Sequence, residues 1–317
     1  MAVDGKRLNA ADKRRQFRRI LDGEECVSAP QVFDPISARI ADDLGFSVGI
    51  GAPPNFELAI LGAPELGLVT VSEIAEQTRR ICRASNLGFI VAGARGIGNA
   101  LNVMRAVEEF ENAGAVAFAI EYQRLPVAFD SPTFRAAMDR PITVRRDIDY
   151  EPSLDIDEIV GRVRAAIDAR QDGLVVIGRV RVEPDVPDAI RLIKAYESAG
   201  AEALWLGQIY KEESLEAVHA ATALPLLVGG SITDVGVRRG RSYLAAQGVR
   251  VVSLGRVTLL ASMKGVYEAL KAHSEGKFES QMASFIAPRE LESRVAWEPQ
   301  YDEWIKSYMM SARTGVK

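Results

Sequence analysis

The chain has 317 residues, 48% of them hydrophobic, and a formal net charge of −4 at pH 7. A chain of this length can bury a large core as one domain or two, and without a basic excess it is not expected to bind nucleic acid. No apolar run approaches about 18 residues and the basic N-terminus lacks an apolar centre, so the sequence predicts a cytoplasmic protein with no membrane span and no secretory signal.

Residues 1–25 are predicted to form an N-terminal helical segment. Its helix begins near Ala10 and carries Phe17, Ile20 and Leu21 on one side. Eight short runs rich in Val, Ile, Leu and Ala follow, and most are continuously apolar, which is typical of parallel strands buried on both faces. The predicted strands are Cys26–Phe33, Ser47–Ala52, Leu87–Gly93, Ala115–Tyr122, Gly173–Val180, Ala203–Ile209, Pro225–Gly230 and Val249–Arg256.

Each predicted strand is followed by a helical pattern, and several of these helices have clear start and stop signals. Asp34 can cap a helix whose first residue is Pro35, and Asn99 can begin another. Glycine follows three of the helices, at Gly45, Gly114 and Gly200. Eight such units predict a (β/α)8 barrel over residues 26–260. A doubly wound sheet is the alternative, but eight regular units with no topological switch favour the barrel.

Two segments do not fit the regular alternation. Residues 123–154 separate the fourth strand from its helix, and a loop of this length at a barrel rim is either a lid near the substrate or a surface insertion with a short helix. Residues 261–317 form a predicted C-terminal helical extension, whose aromatic residues either pack on another subunit or fold back on the barrel. These aromatic residues are Trp297, Tyr301, Trp304 and Tyr308.

Four stretches of sequence carry a resemblance to one family of barrel enzymes. They are FDPISARIADDLGF, ELGLVTVSEIAEQTRRI, GNALNVMRAVEEFENAG and AIEYQRLP. The chain resembles the isocitrate lyase/phosphoenolpyruvate mutase superfamily, and within it the oxaloacetate decarboxylase group. The resemblance implies a (β/α)8 barrel that exchanges its last helix between the subunits of a homotetramer. It also implies Mg²⁺-dependent chemistry on small 2-oxo or 2-hydroxy carboxylates through enolate-like intermediates.

The metal-binding acids of that family are largely replaced in this chain. Where the family has two acids after the third strand, the stretch VAGARGIGNA has Ala92 and Ala94, and Tyr122 replaces an acid after the fourth strand. Mg²⁺ needs hard oxygen ligands and generally one or two carboxylates, which alanine cannot supply. If a metal ion binds in the familiar position, Glu65 and Glu121 are the acids left to hold it.

The resemblance also implies residues for binding a small anionic substrate. Arg179 aligns with an arginine that grips the substrate in the family, and Arg256 stands where the decarboxylase group tends to have histidine. Strand alternation should place Arg181 on the same side as Arg179. The substrate-cradling loop after the second strand includes Gly51 and Ala52, but the two prolines that follow have no N–H to donate to a carboxylate.

Two functions remain open from the sequence. In the first, the chain is a divergent carbon–carbon lyase or decarboxylase for a small 2-oxo or 2-hydroxy carboxylate, and arginines, Arg95 among them, stabilise the enolate in place of the metal. Glu121 is a further candidate catalytic residue, and Tyr122 or water supplies the proton. In the second, the chain is a non-catalytic family member that binds a small anion or a partner protein, and Arg95 pairs with Glu121.

Overall fold

The computed structural model describes residues 7–93, 97–121, 155–229, 233–278, 281–282 and 286–310, with residues 233–238 described by their backbone alone. The predicted lid or insertion at residues 123–154 lies outside these ranges. No helix in the described ranges is long and apolar enough to cross a membrane.

Eight parallel strands form a (β/α)8 barrel, which confirms the predicted fold class. The strands follow one another around the sheet in the order β1-β8-β7-β6-β5-β4-β3-β2. A parallel bridge between Gln31 and Ile50 brings the end of β1 to β2, so the alternative of an open doubly wound sheet is wrong. The strands are β1 Val27–Ala29, β2 Val48–Gly51, β3 Gly88–Ala92, β4 Ala117–Ile120, β5 Val175–Arg181, β6 Ala203–Gly207, β7 Leu226–Val228 and β8 Val249–Ser253.

Helices follow the strands, and the predicted caps are confirmed. The Asp34 carboxylate accepts the N–H of Ser37 at 2.7 Å with Pro35 in the first turn, and the side chain of Asn99 accepts the N–H of Leu101 at 3.0 Å. The helices are α1 Ala10–Asp22, α2 Pro35–Asp43, α3 Pro53–Phe56, α4 Val71–Ala84, α5 Ala100–Asn112, α6 Ile156–Ala169, α7 Val186–Ala199, α8 Glu212–Ala221, α9 Thr233–Ala246, α10 Val257–Ser274, α11 Arg289–Ala296 and α12 Glu298–Trp304.

The N-terminal helix α1 closes the amino end of the barrel. Phe17 and Leu21 pack into the apolar cluster that fills the barrel interior, as their predicted position on one side of the helix requires. The buried Arg14 donates from Nε to the carbonyl of Ala115 at 3.0 Å, and Lys13 donates from Nζ to the carbonyl of Ser85 at 2.6 Å. Those carbonyls precede β4 and β3. Helix α1 therefore leaves the carboxyl ends of the strands uncovered, and this is the end of a barrel at which functional sites lie.

Part of the C-terminal extension folds back on the same chain. The guanidinium carbons of Arg7 and Arg39 lie 4.9 and 4.5 Å from the centroid of the Trp297 ring, and Arg39 also donates to the carbonyl of Val295 at 3.0 Å. Tyr308 and most of one side of α10 are exposed. The exposed apolar side chains of α10 are Val257, Leu260, Met263, Val266, Tyr267 and Leu270.

Candidate active site at the carboxyl end of the barrel

Strand alternation brings Arg179, Arg181 and Glu121 to the mouth of the barrel. On β5, Val175 and Ile177 belong to the interior cluster, so Arg179 and Arg181 continue the same face while Val180 between them is buried on the other. By this alternation the two arginines lie on one side of β5, as the sequence predicts. Glu121 follows the interior residues of β4 in the same way.

Arg179 and Glu121 form an ion pair at this mouth. Nη1 of Arg179 contacts Oε1 of Glu121, and the two side chains are 27% and 9% exposed. The pairing follows from strand register, because Gly178 of β5 lies beside Ile120 of β4 and the next residues along each strand are Arg179 and Glu121. Among the described residues the ion-pair partner of Glu121 is Arg179. Arg95, its partner in the non-catalytic hypothesis, lies outside them.

Two further contacts hold Arg179 in place. Its guanidinium carbon lies 5.3 Å from the centroid of the Trp205 ring, and its backbone carbonyl accepts the phenolic O–H of Tyr196 at 2.9 Å. Tyr196 fits beneath β5 only because position 178 is glycine: a Cβ there would lie 2.6 Å from Cγ of the Tyr196 ring. The charged group at the mouth is thus oriented before any ligand arrives.

Polar side chains line the opposite wall. Asn55 is fully buried, and its Nδ2 donates to Oε1 of Gln31 at 3.1 Å; Nε2 of Gln31 in turn donates to Oγ of Ser253 at 3.4 Å. In an eight-stranded barrel β1 and β8 lie across from β4 and β5, so this chain of polar groups faces the Arg179–Glu121 pair.

The loop after β2 offers few backbone donors to an anion. Its helix α3 begins with two prolines, and the first two N–H groups that follow, those of Asn55 and Phe56, both donate to the carbonyl of Ala52, at 2.9 and 3.1 Å. Gly51 is needed here for space, since a Cβ would lie 2.4 Å from Cζ of Phe56. Gly51 and Ala52 therefore shape the wall of the site.

The described residues do not fit a magnesium ion. Ala92 presents a buried methyl group at the end of β3, and the Glu121 carboxylate is engaged by Arg179. A side chain at position 93 is excluded too, because a Cβ there would lie 2.7 Å from Cγ of Glu121. Glu65 is half-exposed in the connection from β2 to α4. Within the described ranges no three carboxylate, imidazole or thiol groups lie close enough together to hold a metal ion.

The remaining predicted arginines lie at the rim. Nε of Arg181 donates to the carbonyl of Glu183 at 2.9 Å, and Arg256 is half-exposed as the residue that precedes α10. Burial tends to raise the pKa of Glu183, but hydrogen bonds from the N–H groups of Tyr210 and Lys211 and from Ser214 bring it below its ordinary value. The Glu183 carboxylate thereby ties the loops after β5 and β6 together. Ala94 and Tyr122 lie outside the described residues.

Sequence reasoning missed four residues of this site. They belong to no motif: Gln31, Trp205 and Ser253 lie within predicted strands, and Asn55 lies just beyond one. A strand buried on both faces does not reveal which of its residues point into the barrel. The signal that could have found Trp205 is its place one strand after Arg179, at the matching position.

Comparison with known proteins agrees with the fold and the motifs. The family described as phosphoenolpyruvate phosphomutase matches residues 17–273. An oxaloacetate decarboxylase of Rhodopseudomonas palustris strain BisB18 is 40% identical over 283 residues, covering 88% of this chain and 91% of that protein. One of Paraburkholderia xenovorans strain LB400 is 34% identical and covers 95% of each chain.

Two solved structures share the barrel. Phosphonopyruvate hydrolase in complex with oxalate and Mg²⁺ superposes with a TM-score of 0.76 at 22% identity, covering 94% of this chain and 99% of that one. The phosphoenolpyruvate phosphomutase of Streptomyces platensis subsp. rosaceus superposes with a TM-score of 0.77 at 23% identity, covering 93% and 99%. The chain therefore belongs to the phosphoenolpyruvate mutase/isocitrate lyase superfamily, as its sequence motifs indicated.

Proposed function

We propose that the protein is a carbon–carbon lyase of the oxaloacetate decarboxylase type, acting on a small 2-oxo or 2-hydroxy carboxylate with arginine in place of Mg²⁺. The observation that carries the proposal is the Arg179 guanidinium, held at the barrel mouth by its contacts with Glu121 and Trp205, while Tyr196 donates its O–H to the backbone carbonyl of Arg179. A charged donor fixed in advance is what stabilises a developing oxyanion most effectively. The similarity to relatives named oxaloacetate decarboxylase supports the substrate class.

The proposed chemistry needs one cation near the carbonyl and one proton donor. In a 2-oxo acid such as oxaloacetate, the bond between C3 and C4 breaks, CO₂ leaves, and the bonding electrons form an enolate whose negative charge rests on the C2 oxygen. A guanidinium can bind that oxygen and the neighbouring carboxylate in bidentate fashion. A proton delivered to C3, by Tyr122 or water, completes the product. Arg95 is proposed as the second cation.

Charge balance assigns separate tasks to the arginines. Glu121 offsets the charge of one guanidinium, and its ion pair keeps Arg179 oriented. A substrate with two carboxylates therefore requires further positive charge, which Arg181 and Arg256 supply at the rim in this proposal. Excess positive charge around the mouth would also speed the arrival of an anionic substrate.

Turnover of oxaloacetate in the presence of a metal chelator tests this function. We expect pyruvate formation that persists with chelator and that Arg179→Ala reduces by at least about 100-fold, the scale of losing one preorganised oxyanion donor. Arg191→Ala is the matched control, because Arg191 forms an exposed ion pair with Asp188 on α7, away from the site. Wild-type activity that is lost with chelator, or kept in full by Arg179→Ala, would refute the arginine mechanism.

The second candidate function is binding without catalysis. It is favoured by the buried methyl group of Ala92 where the family has an acid. It predicts that oxalate binds while no 2-oxo acid in a panel is turned over, with or without Mg²⁺. Restoring the acids with Ala92→Asp and Ala94→Asp would then test whether the rest of the site still accepts a metal ion.

We also propose that the chain has three parts: an N-terminal segment at residues 1–25, a barrel at residues 26–260 and an extension at residues 261–317. In this proposal the protein is a homotetramer, and the extension contacts a neighbouring subunit. The exposed apolar side chains of α10 support this assembly, because contiguous apolar surface of this kind marks interaction sites. The arrangement follows the one that the family resemblance implies.

A further inference from the structure

Trp205 stands out among the side chains inside the barrel. One layer further from the mouth than Trp205, the interior positions of β3, β4 and β6 carry the small residues Ala92, Ala119 and Ala203. Among the described strand residues of this interior cluster, Trp205 is the only aromatic side chain, and it is 6% exposed. The indole ring of Trp205 is therefore the large side chain at the level of Arg179, next to a layer that contains several alanines.

The ring lies directly beside the charged group of the site. Trp205 and Arg179 are partners in the ladder between β6 and β5, and the guanidinium carbon is 5.3 Å from the ring centroid. Stacking on an aromatic ring uses the face of the guanidinium, whereas ion pairing uses its edge. Nη1 contacts Glu121, so the rest of that edge can bind a carboxylate.

The indole N–H of Trp205 lies near Gly229. The position that a Cβ on Gly229 would take lies 3.6 Å from Nε1 of Trp205 and 3.5 Å from Oγ of Ser253. Two polar groups thus flank the space left by the missing side chain of Gly229. No hydrogen bond between described residues uses the Trp205 N–H.

We infer that Trp205 forms the floor of the anion site: it positions Arg179 and restricts the ligand to short carboxylates of two to four carbons. This inference rests on the proposed function and adds to it the size class of the substrate. A ligand whose carboxylate meets the Arg179 edge cannot extend deeper into the barrel, because the nearly buried Trp205 lies at the level of Arg179 and buried branched side chains such as Val175 and Ile50 lie below it.

Titration with oxalate and with 2-oxoglutarate tests the inference. Wild type should bind the two-carbon oxalate and not the five-carbon 2-oxoglutarate. Trp205→Leu should weaken oxalate binding by about 3- to 30-fold, the scale of a lost cation–π contact, and should admit 2-oxoglutarate. Trp205→Phe keeps an aromatic face and should stay within about threefold of wild type for oxalate. Oxalate binding should also change the tryptophan fluorescence of wild type but not of Trp205→Phe.

Trp297→Leu is the matched control. Trp297 also stacks on guanidinium groups, those of Arg7 and Arg39, but it lies on the outer side of the barrel against α2. It should leave oxalate affinity unchanged. The inference is overturned if wild type binds no oxalate, if Trp205→Leu binds it as wild type does, or if Trp205→Phe loses as much affinity as Trp205→Leu. Binding that follows the expected pattern without turnover of any 2-oxo acid would overturn the decarboxylase proposal alone.

Discussion

At the scale of single residues, the charged partner of Glu121 within the described part of the chain is a guanidinium. Family resemblance assigns acids in this region to a metal ion, and in this structure the Glu121 carboxylate contacts Arg179. A buried carboxylate needs a charged or hydrogen-bonding partner, since burial without one is costly. Positions 92 and 122 carry no carboxylate, and Arg179 is the charged partner that Glu121 has among the described residues.

Glu121→Gln tests this residue-scale account. Without the competing carboxylate the full charge of Arg179 faces the ligand, so oxalate should bind more tightly. Without the ion pair the guanidinium is less well oriented, so kcat should fall roughly tenfold, about 1.4 kcal/mol in the transition state. Steady-state kinetics should show kcat and KM falling together. An unchanged kcat would show that the ion pair does not position Arg179.

At the scale of elements, the position of β5 depends on the contact between Gly178 and helix α7. The Tyr196 ring of α7 lies against Gly178 and its hydroxyl bonds the Arg179 carbonyl. The end of the same helix at Gly200 is readable from the sequence, and in the structure its first turn is capped by the side chain of Asp185. Local sequence signals predict the helix, whereas its contact with β5 depends on the tertiary structure.

Gly178→Ala should therefore damage the site through the helix. The added methyl group displaces the Tyr196 ring, which should destabilise the protein by about 1–3 kcal/mol and weaken oxalate binding. Gly161→Ala in α6 is the control: a Cβ there meets nothing within 4 Å, and alanine should stabilise a helix interior by about 0.5–1 kcal/mol. Urea unfolding of both variants gives the comparison, and equal effects would contradict the packing argument.

The strands and most of their helices could be predicted from the sequence, whereas the side-chain contacts between neighbouring strands could not. All eight strands were predicted because parallel strands buried on both faces are continuously apolar, and the Asp34, Asn99 and Gly200 caps were readable from local chemistry. The contact of Arg179 with Glu121 required the register between β4 and β5, which no local signal carries. Trp205 was missed for the same reason, since its contact with Arg179 depends on the register between β5 and β6.

At the scale of the whole molecule, stability at high pH should reflect two buried thiols. Burial raises the pKa of Cys82 to about 12 and that of Cys26 to about 11, against an ordinary value of 9.0. Between pH 9.0 and the raised pKa of each thiol, the unfolded chain binds fewer protons than the folded one. The free energy of unfolding therefore falls as pH rises, by at most about 1.4 kcal/mol per pH unit for each thiol. The contribution is fully present below about pH 9.

Comparison of wild type with Cys82→Ala isolates this effect from other titrating groups. Urea unfolding at a series of pH values above about 9 should show a shallower loss of stability in the variant. Parallel curves would mean that the Cys82 thiol does not titrate differently in the folded and unfolded states.

The assembly gives a second prediction at this scale. Tyr267→Glu places a charge among the exposed apolar residues of α10 and should dissociate the proposed tetramer, as measured by light scattering. Lys264→Glu puts the same charge on an exposed polar position of the same helix and should leave the assembly intact. A monomeric wild-type protein would contradict the proposed assembly directly.

The most direct test of the central claim is a calorimetric titration of oxalate, a mimic of the pyruvate enolate, with Mg²⁺ and then with a chelator. An arginine site predicts binding of similar affinity in both conditions, and loss of that binding in Arg179→Ala. Binding that requires Mg²⁺ would show that a metal ion still occupies the site. Absence of binding in either condition would show that the pocket no longer recognises this class of anion.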